Sequence, residues 1–135
     1  MKKTYTILKD NYEDAGQASR DIKMTLKMLG INPKVLKRIS IACYEAEINL
    51  VIHSNGGTIT FEVNDDGKVK LAFDDTGPGI ENIELALKPG YSTASKKARE
   101  FGFGAGMGLD NMKSCASTFD IQSSKDGTHL RMTFE

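Results

Sequence analysis

The chain reads as an α+β domain, a two-layer sandwich in which helices cover one face of a mainly antiparallel mixed sheet. Three observations predict it. Four short segments alternate apolar and polar residues and fall into two hairpins, "TITFEV" with "KVKLAF" around "NDDG", and "FDIQSS" with "HLRMTF" around Asp126 and Gly127. Two long segments with three-to-four apolar spacing stand side by side before the first hairpin. The 135 residues suit one domain, which at this size buries roughly two-thirds of its unfolded surface.

The elements follow in order. "TYTIL" is a short first strand. "DAGQASRDIKMTLKMLG" places Ala15, Ala18, Ile22, Leu26 and Leu29 on one side of an amphipathic helix that stops at Gly30. A second helix starts at once, with Asn32 suited to the N-cap and Pro33 to the first helical position, and its apolar pattern runs to about His53. The first hairpin turns Ile59, Phe61 and Val63 to the same face as Val69, Leu71 and Phe73. "DDTGPGIENIELALKPG" then reads as a turn with a short helix, and "YSTASKKAREFGFGAG" as a long loop without sustained period. A helix beginning near Gly108 leads into the second hairpin.

Charge and cysteine content narrow the function classes. The 18 basic and 18 acidic side chains cancel, so the overall field points to neither nucleic acid nor an anionic membrane as partner. The N-terminal stretch lacks the apolar run of a secretory signal, and no segment approaches a membrane span, which predicts a cytoplasmic protein. Cys43 and Cys115 each sit in an apolar helical pattern and read as two buried thiols rather than a disulfide.

The second helix carries an unusual strip. Its wheel is apolar almost all round, through Ile39, Ile41, Ala42, Ile48, Leu50, Val51 and Ile52, which predicts a buried helix. Glu45 and Asn49 nevertheless fall one turn apart, within ~40° of each other, flanked by Ile41, Ala42 and Ile52. Buried, they would need a cation, a phosphate-bound water or an arginine as partner; otherwise the strip is a helix edge facing solvent. His53 extends it by another turn, as a dipole partner or a surface residue.

Two glycine segments complete the candidate site. "DDTGPGI" leaves a strand, and Gly77-Pro78-Gly79 forces a sharp turn where backbone can approach a ligand. Asp75 at its mouth either accepts a hydrogen bond from an exocyclic amine such as that of adenine or caps an ordinary turn. "FGFGAGMGLDNM" places glycines at 102, 104, 106 and 108. It is neither a P-loop, since no glycine precedes Lys-Ser or Lys-Thr, nor a Rossmann fingerprint, since Met107 stands where the third glycine belongs. Alternate glycines let successive amides converge on an anion, and the following helix turns its positive end to the same spot. Lys88, Lys96, Lys97 and Arg99 against Glu100 add positive charge, although a solvated linker has the same composition.

Taken together, these segments resemble the Bergerat-fold ATP-binding superfamily, which includes gyrase, heat-shock 90 chaperones, sensor histidine kinases and mismatch-repair ATPases. "EAEINLVIH" is similar to the N box, "DDTGPGI" to the first glycine box, "GFGAGMGL" to the second, and "DGTHLRMTF" to the terminal strand. Within the superfamily the chain looks like the small bacterial serine/threonine kinases of partner-switching pathways, the anti-sigma-factor kinases and the stressosome switch kinases. The resemblance implies one ATP-binding kinase domain over residues 1–135 with a nucleotide lid at about 88–107. It implies Mg-ATP as cofactor, with Asn49 as Mg²⁺ ligand, Asp75 reading the adenine amine and Thr128 fixing that contact. Gly77 and Gly79 would form the first box, Gly102, Gly104, Gly106, Met107 and Gly108 would wrap the phosphates, and Glu45 would be the general base. Lys96, Lys97 and Arg99 are the candidate phosphate-binding cations, because no basic residue lies on the N-box helix beyond Arg38.

The implied substrate is a serine or threonine of a STAS-domain antagonist or stressosome-like protein, with a sigma factor or another regulator as a further partner, and the family admits a homodimer. The competing function is an ATP-gated module that sequesters its partner without catalysis, which would have no need of a carboxylate at position 45. A histidine kinase catalytic domain or a stand-alone ATP hydrolase fits less well, because the fold uses up the 135 residues and leaves none for a phospho-accepting hairpin or a transducing domain.

Overall fold

The computed structural model describes residues 1–77, 108–124 and 126–135. Among them the order is β1 (Lys2–Ile7), α1 (Gln17–Met28), α2 (Pro33–His53), β2 (Gly57–Val63), β3 (Val69–Asp75), α3 (Gly108–Cys115), β4 (Thr118–Ser124) and β5 (Gly127–Phe134). The strands form one sheet, ordered β1-β2-β3-β5-β4, and every pairing is antiparallel. The two-layer α+β arrangement expected from the hairpins and paired helices is the one the chain adopts.

Register carries the alternation across the sheet. Tyr5 lies opposite Ile59, Ile59 opposite Phe73, Phe73 opposite Leu130 and Leu130 opposite Ile121, so one apolar row crosses all five strands. Phe61, Leu71, Met132 and Phe119 form the next row. These rows meet Ile39, Ala42, Cys43, Ala46, Leu50 and Val51 of α2, Ile22 and Leu26 of α1, and Leu109 and Met112 of α3 in a single core. Each large side chain buried there contributes about 1.5–3 kcal/mol relative to exposure. The opposite face is polar, with Thr4 bonded to Thr60 at 2.9 Å and Asp74 joined to both His129 and Arg131 at 2.6 and 2.9 Å.

Helix ends show where local rules held. At α2, Asn32 Oδ1 accepts from the Lys34 N–H at 2.9 Å with Pro33 at the first helical position, as the sequence predicts. The first helix begins three residues later than its pattern, at Gln17, because Gly16 takes a left-handed φ of 96° and breaks the turn that Asp14 and Ala15 would have started. It is capped from another element. Glu47 of α2 is buried, and its Oε2 accepts from the Gly16 N–H at 2.8 Å while its Oε1 accepts from the Ser19 N–H and hydroxyl at 2.8 and 2.6 Å.

The expectation that α2 is buried all round is corrected. Ile41 and Tyr44 are 39% and 41% exposed, because the sheet covers one side of the helix while α1 and α3 flank it, leaving the fourth side outward. Cys43 is fully buried and free, whereas Cys115, at the end of the short α3, is only partly covered. A cavity of about 390 Å³ opens between β1 and α1, lined among others by Asn11, Asp14, Gln17 and Asp21, and it includes none of the predicted site residues. No helix among the described residues is long and apolar enough to cross a membrane.

Candidate functional site: one face of α2 and the turn after β3

Asp75 ends β3 and is held from two directions. Its Oδ1 accepts from the backbone N–H of Gly77, two residues on, and from the backbone N–H of Thr128 on β5, both at 2.9 Å. Thr128 thus meets Asp75 through its main chain. The Thr128 hydroxyl turns instead to the Ser123 hydroxyl at 2.8 Å. With Oδ1 doubly occupied, Oδ2 has no partner among the described residues and can accept from a ligand.

Close backbone approach makes this possible. A Cβ on Gly127 would lie 2.2 Å from the Asp75 carbonyl oxygen, and a Cβ on Gly57, across the sheet, 2.0 Å from that of Asp74. Gly127 also has a φ of 150°, which L side chains rarely adopt. Both glycines are functional in the sense that they let β2 and β5 close on the strand end carrying Asp75. Gly127 was legible only as a hairpin residue, since its contact with Asp75 spans strands distant in sequence, and Gly57, just ahead of the first strand segment read from the sequence, was not singled out.

The same turn is tied to α2. The Asn55 N–H donates to the Gly77 carbonyl at 2.7 Å, just past the helix end at His53. Ser54 braces that end, its hydroxyl donating to the Leu50 carbonyl at 2.6 Å and accepting from the Gly56 N–H at 2.9 Å. Walking back along α2 from its end at His53, Asn49 and then Glu45 come in order, with Glu45 about 12 Å along the axis at 1.5 Å per residue. The turn holding Asp75 and Gly77 is thereby tied to the chain just past the C-terminal end of α2, the helix that carries Asn49 and Glu45.

Glu45 and Asn49 are half-buried rather than enclosed, which corrects the picture of a charge sunk among aliphatic side chains. The enclosed carboxylate of this helix is Glu47, two residues on and so on the opposite side, where α1 satisfies it. Sequence reasoning missed it. Cys43, Leu50 and Val51, one turn to either side, were the available signal that position 47 faces inward.

The rim beside Glu45 comes from α3. Its Leu109 and Met112 are buried, and between them Asn111 donates from Nδ2 to Glu45 Oε1 at 3.3 Å. At the other end of α3, Arg38 Nη1 donates to the Cys115 carbonyl at 3.1 Å, and Nη2 reaches the Glu135 carbonyl. Contacts Arg38–Cys115 and Glu45–Asn111 set α3 antiparallel to α2, with its N-terminal turn beside Glu45. Arg38 thereby caps α3. Gly108 begins α3 as predicted. Gly79, Gly102, Gly104, Gly106, Met107, Lys96, Lys97, Arg99 and the lid at 88–107 lie outside the described residues.

The donor set suits a hard cation shared with a ligand rather than a protein cage. No group of three or more His, Cys, Asp or Glu side chains among the described residues could hold a metal ion. Asn49 offers one carboxamide, with no hydrogen-bond partner among the described residues, and Mg²⁺ ordinarily takes one or two protein oxygens plus phosphates and water.

Comparisons with known proteins bear on the family and the fold. The chain is 33% identical over 99 residues to an anti-sigma F factor of Clostridium acetobutylicum, a match covering 70% of this chain and 66%, just under two thirds, of that protein. It is 31% identical over 109 residues to the serine/threonine-protein kinase RsbT of Bacillus subtilis, covering 78% of this chain and 76% of the relative. Among solved structures, the RsbU and RsbW domains of a Mycobacterium tuberculosis protein share the fold with a TM-score of 0.67 at 18% identity, covering 98% of this chain and 31% of that one. The SiaB–SiaC complex of Pseudomonas aeruginosa matches with a TM-score of 0.53 at 14% identity, over 97% and 89% of the two chains. A family model for the histidine kinase-like ATPase domain matches residues 8–134. By that match, which takes in both strand hairpins, the helix bearing Glu45 and Asn49, and the turn at Asp75, the chain belongs to the histidine kinase-like ATPase domain family.

Proposed function

We propose that the chain is an ATP-dependent protein serine/threonine kinase of the anti-sigma-factor and switch-kinase type, acting as a single ATP-binding domain with a lid at about residues 88–107. The observation that carries it is Glu45, a half-buried carboxylate one turn from Asn49 on the helix that is tied, ten residues on, to the turn holding Asp75. A nucleotide whose adenine amine donates to Asp75 Oδ2 would run its phosphates back along α2, past Asn49 toward Glu45. The substrate is a serine or threonine of a STAS-domain antagonist or stressosome-like protein; a sigma factor or other regulator is a further partner, and the working unit is a homodimer or a monomer.

Asn49 would hold Mg²⁺, which when bound neutralises charge on the phosphates. The chain's own residues do the rest. Asp75, beside the turn of Gly77 and Gly79, orients the base, and the glycines at 102, 104, 106 and 108, with Met107, supply bare amides to the phosphates. The substrate hydroxyl oxygen attacks the γ-phosphorus as the bond to the β–γ bridging oxygen breaks. Its proton passes to Glu45, and ADP leaves.

The names of the anti-sigma F relatives favour one second reading, a module that sequesters its partner with little or no catalysis. Transfer of label from γ-labelled ATP to the STAS-domain protein that co-purifies with the chain separates the two. The kinase reading expects transfer by wild type and a loss of about 100-fold or more in Glu45→Gln with ATP binding kept. Partner and ATP binding without transfer in either protein refutes it.

A further inference from the structure

We propose that Asn111 is a positioning residue for phosphoryl transfer, one that fixes the Glu45 carboxylate so that its second oxygen faces the incoming hydroxyl; this rests on the kinase reading above. The two residues are 66 positions apart, and Asn111 Nδ2 donates to Glu45 Oε1 at 3.3 Å. The orientation of the amide follows from chemistry, since an ionised carboxylate only accepts and the NH₂ must therefore face it.

Both ends of this contact are anchored. Asn111 sits between the buried Leu109 and Met112, and α3 is pinned at its far end by Arg38. Glu45 sits on α2, whose next residue but one, Glu47, is locked to α1 by three hydrogen bonds. A glutamate side chain has three free torsions, and a half-buried one without a partner samples several rotamers. Holding Oε1 selects one and leaves Oε2, which has no partner among the described residues, as the acceptor for the substrate proton. Asn111 also lies three residues after Gly108, so the chain that closes the second glycine segment is the chain that aims the base. A helix-surface packing role would need only the shape of asparagine, whereas this role needs its donor.

The test compares Asn111→Asp, which keeps the shape and removes the donor, with Asn111→Leu, each in the Glu45 and the Glu45→Gln backgrounds. Single-turnover transfer from γ-labelled ATP to the co-purifying STAS-domain protein is read alongside ATP affinity and the urea midpoint. Both variants are expected to lower the transfer rate about tenfold or more with ATP affinity within about threefold, and to lower it no further once Glu45 is glutamine. Transfer within about threefold of wild type in Asn111→Asp, or an equal fall in both backgrounds, overturns the proposal while leaving the kinase reading intact. Absence of transfer by wild type, with ATP bound, overturns the kinase reading and the proposal with it.

Discussion

Replacing Asp75 by asparagine tests the nucleotide site without dismantling it. Oδ1 of Asp75 already accepts from the Gly77 and Thr128 N–H groups at 2.9 Å each. An asparagine at 75 must turn its carbonyl oxygen to those two donors, because the reverse orientation would set NH₂ against two N–H groups. Its NH₂ is therefore forced into the place of Oδ2, which in the proposed site would face the 6-amine of adenine. The variant loses one charge-assisted hydrogen bond, about 1.5–3 kcal/mol, and sets donor against donor at about 1–3 kcal/mol more. Taking about 3 kcal/mol as the working sum, at 1.4 kcal/mol per decade, the Kd for ATP rises by about 100-fold or more.

Folding should suffer far less, about 1 kcal/mol, because both backbone bonds to the side chain survive in neutral form. Inosine triphosphate sharpens the test, since its 6-oxo group accepts where adenine donates. Calorimetry with Mg²⁺ should show the preference for ATP over inosine triphosphate in wild type narrowing by about two decades, or reversing, in Asp75→Asn. An asparagine variant that binds ATP within about threefold of wild type, with that preference unchanged, would refute the assignment of Oδ2 to the adenine amine.

Two further outcomes follow from the buried groups. Glu47→Gln turns one of its three acceptor contacts into a donor-donor clash at the start of α1, and should cost about 2–4 kcal/mol, lowering the urea midpoint by about 1–2 M, while Glu45→Gln costs less than about 1 kcal/mol; equal midpoints for the two variants would contradict the capping role. Burial holds the fully enclosed Cys43 thiol up at about 12 and pushes Cys115 up as well, so at about pH 8 the native chain should alkylate slowly and only at Cys115, with both thiols reacting in urea; native labelling of Cys43 at the unfolded rate, read by peptide mass spectrometry, would show the core to be open.

Much of the fold was legible because its signals are local. Alternation in "TITFEV" and "KVKLAF", the Asn32-Pro33 start of α2 and the stop of α1 before Gly30 each depend on a few neighbouring residues, and each appears where the pattern puts it. The start of α1 was misplaced because its cap is Glu47, 28 residues beyond Ser19. The helix wheel of α2 likewise ranked its faces by hydropathy alone. It could not tell which carboxylate an adjoining helix would satisfy, so it enclosed Glu45 and passed over Glu47, and it buried Ile41, which the packing of three elements leaves outside.

The order of residues by itself determined the period of each element and the types of side chain offered at the site, because propensity, capping and alternation act over a turn or a hairpin. Tertiary structure alone decided which groups meet. It set Thr128 and Gly127 against Asp75 across 53 and 52 positions, Asn111 against Glu45 across 66, and Arg38 against the end of α3. Such meetings depend on strand order and on how helices cross, and those are fixed by closing one core around many distant residues at once, a condition no single stretch of chain can express.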